Sequence, residues 1–80
     1  MNIIKAHNYS DGFRVIIAAP DSACDFYRIK VQQPTENLPI GAQREGVDGF
    51  RDCSWQTAST EEEALAKFDY ILMCEARWHR

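Results

Sequence analysis

From Asp25 to Gln32 the chain alternates with period two: Tyr27, Ile29 and Val31 fall on one side, and Phe26, Arg28, Lys30 and Gln32 on the other. An extended strand separates those sets, because successive Cβ atoms of a strand point to opposite faces of its sheet. Such a strand needs neighbours, and the flanking sequence supplies them. Asn2 to Ala6 is a short β-rich run closed by Asn8-Tyr9-Ser10-Asp11-Gly12, where Asn, Ser and Asp bond locally and Gly takes positive φ. Phe13 to Ala19 puts Phe13, Val15, Ile17 and Ala19 on one parity and Arg14 on the other, before Pro20-Asp21 breaks the run. Phe50 to Thr57 reads as a fourth strand with Cys53, Trp55 and Thr57 on one parity, and Trp55 is expected in the core.

The period then changes. Ser59-Thr60-Glu61-Glu62-Glu63 offers a capping box in two registers, Ser59 with Glu62 or Thr60 with Glu63, and sets three carboxylates where the helix dipole favours them. Leu65, Phe68, Leu72 and Ala76, flanked by Ala64 and Ile71, recur at three- and four-residue spacing and predict the buried stripe of a helix. Arg77, His79 and Arg80 complement its C-terminal end. The expectation is a single α+β domain over residues 1–80: an antiparallel sheet of three to four strands, one C-terminal helix on one face (β-β-β-β-α), and the other face open. Pro34 to Gly49, with Pro34, Pro39, Gly41, Gly46 and Gly49, reads as a long irregular connection with room for one short helical turn.

Eighty residues leave little room for a deep pocket. A net charge of −3 excludes a protein that holds DNA by bulk charge. No apolar run approaches bilayer length, and Met1-Asn2-Ile3-Ile4-Lys5 lacks the pattern of a signal peptide, so a cytoplasmic protein with no membrane partner is expected. Cys24, Cys53 and Cys74 are odd in number and isolated, which suits reduced thiols. No Cys or His pair has the spacing of a metal site, and Cys74 and His79 lie too far apart around a helix to converge. A nucleophilic triad would have to use His7 or His79, and neither has a supporting motif. Gly46-Val47-Asp48-Gly49 lacks the Lys and Ser/Thr of a phosphate loop. The reading is a binding protein, not an enzyme, with no catalytic residue, metal or cofactor.

Charge divides the chain into two candidate surfaces. Lys5, His7, Arg14, Phe26, Arg28 and Lys30 fall on the parity assigned to the open sheet face, a mixture of cations and one aromatic suited to single-stranded nucleic acid or to plain hydration. Thr35 to Glu63 holds seven carboxylates, Glu36, Glu45, Asp48, Asp52, Glu61, Glu62 and Glu63, against Arg44 and Arg51. Such a cluster can mimic phosphates on a basic channel of a larger protein, or simply keep a loop and a helix cap hydrated.

With its eighty residues, short strands, acid-led helix from Ser59 to Arg77 and acidic Asp48, Asp52 and Glu61 to Glu63, the chain resembles the small anti-CRISPR proteins of phages and mobile elements in size and plan. The resemblance implies a stoichiometric inhibitor covering a nucleic-acid-binding surface or subunit interface of a larger protein or ribonucleoprotein complex. The acidic set assigned to partner binding is Glu45, Asp48, Asp52, Glu61, Glu62 and Glu63. The alternative is a nucleic-acid-binding module on Lys5, Arg14, Phe26, Arg28 and Lys30, with homodimerisation through a sheet edge as a further route. Thr60-Glu61-Glu62-Glu63-Ala64 after a small sheet also resembles HicB-type antitoxins, which implies an antitoxin-like regulator; Pro20-Asp21-Ser22-Ala23-Cys24 departs from their inter-strand turn.

Overall fold

The computed structural model describes residues 2–37 and 49–78. It is an α+β fold of the β-β-β-β-α plan. Strands β1 (Ile3–Asn8), β2 (Arg14–Ala18), β3 (Tyr27–Pro34) and β4 (Phe50–Ala58) form one antiparallel sheet in chain order, and helix α1 (Glu61–Glu75) follows. A 3-10 turn at Thr35–Asn37 sits where the sequence leaves room for one. The β1–β2 turn closes through Tyr9 N–H on the Phe13 carbonyl at 2.8 Å, with Gly12 at φ 94°.

The core lies between the sheet and α1. Val15, Ile17, Ile29, Val31 and Ala58 pack with Ala64, Phe68 and Ile71, and Tyr9, Tyr27 and Leu72 close the margin. The alternation of β3 is realised as read, but the helix stripe is rotated by about one position. Leu65 and Ala76 are exposed, while Ala64 and Ile71, read as flanking positions, are buried with Phe68. Thr60 is the N-cap, accepting from Glu63 N–H at 3.1 Å. The Glu63 carboxylate reaches one residue further back than a standard box, to the Ser59 N–H and hydroxyl. No basic residue lies in the last turn of α1; Arg77 follows it.

The second sheet face is not the open surface expected. Ile16 and Ala18 of β2 and Gln32 and Pro34 of β3 are buried, although Ile16 is paired in register with Ala6 and Lys30, away from the helix side. Arg28 and Lys30 side chains are only 17% and 14% exposed. Long cations therefore lie along this face, with their stems on apolar ground.

Two register shifts decide which residues share a face. In β1 the pairing passes from Ile3↔Ala18 to Lys5↔Ile17, so Ile4 is an extra residue and parity inverts beyond it. In β4 it passes from Ser54 to Asp52, leaving Cys53 extra. No helix among the described residues is long and apolar enough to cross a membrane.

Candidate functional site

The second face of the sheet is a closed polar network. Arg14 and Gln32 stand directly opposite in the β2–β3 ladder, and Gln32 and Asp52 in the β3–β4 ladder. Arg14 Nε donates to Gln32 Oε1 at 2.7 Å, and Gln32 Nε2 donates to Asp52 Oδ1 at 2.8 Å. The other Asp52 oxygen accepts from Lys30 Nζ at 2.9 Å. The Arg14 guanidinium also lies 3.6 Å from the Phe50 ring centroid, a cation–π contact. At the far end Arg28 Nη2 meets Asp21 Oδ2 at 3.0 Å, while Arg28 Nε is buried without a hydrogen-bond partner.

The electrostatics follow this pairing. Burial works to raise the Asp52 carboxyl, but hydrogen bonds from Gln32 and Lys30 outweigh it and hold the group below its ordinary value. The Asp21 carboxyl is held low first by the Ala23 backbone N–H, with Cys24 and Arg28 adding to it. Glu63 is held low by the Ser59 backbone N–H and then by Lys67, whose ammonium sits 3.3 Å away.

These contacts revise both predicted surfaces. Of the basic set, Arg14, Arg28 and Lys30 do share the second face, but Arg28 and Lys30 each hold a carboxylate there. Lys5 does not belong to it. The β1 bulge turns Lys5 toward the helix, where its ammonium lies 5.0 Å from the Phe68 ring centroid. His7 faces the same side, paired with Val15 and edge-on to Tyr9. Phe26 is exposed, just before β3. Of the acidic set, Asp52 belongs to the network and Glu63 to the helix cap, while Glu61 and Glu62 are exposed. Glu45 and Asp48 lie outside the described residues. The supposed cationic and acidic surfaces thus meet in one ion pair, Lys30–Asp52.

What is left outward is the two edge strands, β1, exposed along its whole length, and β4. Residues 51–57 are all exposed along a strand that ends the sheet. Trp55, placed in the core by its parity with Cys53 and Thr57, is instead 60% exposed. Its register partner is Lys30, on the second face, whereas Ser54, Gln56 and Ala58 take the helix side. Trp55, Cys24, Arg28, Lys30 and Asp52 line a concavity of about 370 Å³. Lys67 reaches from α1 to donate to the Thr57 carbonyl at 2.6 Å, anchoring that end of the strand.

Sequence reading missed Gln32 as the hub and Asp21 as the Arg28 partner. The signal for Gln32 was present, since cross-strand neighbours of complementary polarity on one parity are the natural contacts of a ladder. The three thiols are free, Cys53 and Cys74 exposed and Cys24 half-buried. Burial pushes the Cys53 thiol up, so it is less reactive than an ordinary thiol. In comparisons with protein-family models, curated proteins and solved structures, the chain matches none.

Proposed function

We propose that the chain is a non-enzymatic, protein-binding inhibitor of the anti-CRISPR kind, blocking a nucleic-acid-binding surface or subunit interface of a larger effector complex by docking through the edge of β4. The observation that carries this reading is Trp55, 60% exposed within the exposed run 51–57; the other edge strand, β1, is exposed along its length as well but carries no Trp, Tyr or Phe anchor. A free sheet edge offers backbone donors and acceptors to an incoming strand, and Trp is among the residues that most often dominate binding energy. Glu61 and Glu62 open α1 after Ser59-Thr60 at the end of β4 and are exposed; their charge suits a partner surface built to hold phosphates. Asp21, Asp52 and Glu63 are all shifted down, the opposite of what a general acid needs.

The nucleic-acid alternative has less behind it. Lys5 lies over Phe68, away from the second face, and Arg28 and Lys30 are engaged with Asp21 and Asp52, so two of the cations that phosphates need on that face are already paired with carboxylates. The test is affinity purification of the tagged chain from its host beside a Trp55→Ala variant, with mass spectrometry of what is retained. A large protein or ribonucleoprotein is expected with the parent chain and about tenfold less of it with the variant. Capture of bulk RNA alone, or equal capture by Trp55→Ala, would overturn the reading.

A further inference from the structure

Helix α1 spends Ala64, Phe68, Ile71 and Leu72 on the sheet, and its opposite side has a pattern of its own. Ala66, Tyr70, Met73 and Arg77 recur at spacings of four, three and four residues, the interval that aligns side chains along one helical seam. Glu62 heads the seam one turn before Ala66. Tyr70 is 61% and Met73 69% exposed, more than Trp55, and Glu62, Ala66 and Arg77 are exposed as well. Ala76 keeps a right-handed helical backbone (φ −56°, ψ −22°), so Arg77 continues the line. Among the described residues neither Glu62 nor Arg77 has an ion-pair partner.

A seam with an acid at one end, a base at the other and apolar side chains between is its own complement when reversed. We propose that the chain forms a homodimer through this seam, with a second copy of α1 laid antiparallel across it. In the register that sets Glu62 of one copy against Arg77 of the other, Ala66 of each faces Met73 of the other. Tyr70 then lies beside its counterpart at the two-fold axis. Opposite charges close both ends, a small residue receives a long flexible one, and two aromatic rings meet at the centre. Asp69 is the one mismatch, since the axis brings it near its own copy, and replacing it by Asn tightens the dimer.

A single helix face falls at the low end of specific interfaces, under roughly 1,200 Å² in total, the size class of weak and transient contacts. The dimer uses none of residues 51–57, and its existence does not depend on what β4 binds.

Sedimentation equilibrium of the full chain in reducing buffer, which keeps the exposed Cys53 and Cys74 from cross-linking, decides the matter. The average mass is expected to rise with concentration from 9.2 kDa toward twice that value. Glu62→Arg and Arg77→Glu should each weaken association by at least about tenfold through like-charge contact, and the double variant should recover it to within about threefold of the parent. A chain that stays monomeric to about 1 mM, the weak limit for a specific contact, overturns the proposal. So do single variants that associate like the parent, or a double variant that stays monomeric.

Discussion

Asp52 holds two partners from β3, Lys30 at 2.9 Å and Gln32 at 2.8 Å, and with them it joins three strands into one network through Arg14. Folding lowers its pKa below 3.8. Its contribution to stability is therefore fully present above that ordinary value and is lost as pH falls through the lower folded value. Asp52→Asn is expected to cost about 1 kcal/mol at neutral pH, an amount typical of a half-exposed charged hydrogen bond. The gap between parent and variant should close as acid denaturation is followed below pH 3.8. A gap independent of pH would assign the loss to packing. Gly12 is a second residue with a sharp expectation. At φ 94° it is strained for any side chain, and an added Cβ would stand 3.0 Å from Pro34 Cγ. Gly49, at φ 84°, has nothing within 4 Å. Chemical denaturation should show Gly12→Ala losing about 1–2 kcal/mol and Gly49→Ala about 1.

At the level of elements, β3 was legible because its own alternation is realised in the sheet: Tyr27, Ile29 and Val31 face the core. The helix start was legible to one residue, since Thr60 and Glu63 form one of the two registers that the sequence allows. Thr60→Ala should lower stability by about 1 kcal/mol, measured by thermal or chemical denaturation. The failures have separate causes. A bulge leaves no mark on composition, yet the extra residue at Ile4 inverts β1 and carries Lys5 from the nucleic-acid candidate set to the underside of the helix. On β4 the apolar parity pointed Trp55 inward. The inner side there is instead lined by Ser54, Gln56 and Ala58, because α1 sits mainly over β2 and β3 and the edge strand needs little apolar cover. In α1 the stripes through Leu65 and through Ala64 differ by one position. Only packing against the sheet chose between them, and that choice left Tyr70 and Met73 outside.

The whole molecule measures 36 × 31 × 15 Å, two layers thick, so its stability hangs on few side chains. Phe68 is the largest fully buried side chain, and Phe68→Ala should cost about 3–5 kcal/mol. Against the roughly 5–15 kcal/mol of a typical domain, that is enough to leave a substantial unfolded fraction. Circular dichroism melts would show it. Both sheet faces are occupied, one by α1 and one by the Arg14–Gln32–Asp52–Lys30 network. Among the described residues, large apolar side chains left exposed stand at the margins of the slab, including Ile3 and Ile4 on β1, Trp55 on β4, and Tyr70 and Met73 on α1. The pairing of charges on the second face was beyond sequence reading, which counts charges by parity and cannot see that Lys30 and Asp52 sit across one ladder. The claim that β4 is the docking edge is tested most directly by amide hydrogen exchange on the free chain and on its purified complex. The outward amides among residues 51–57 are expected to exchange freely in the isolated chain and to slow by about tenfold or more in the complex. Protection gained on β1 or on α1 alone, with β4 unchanged, would contradict it.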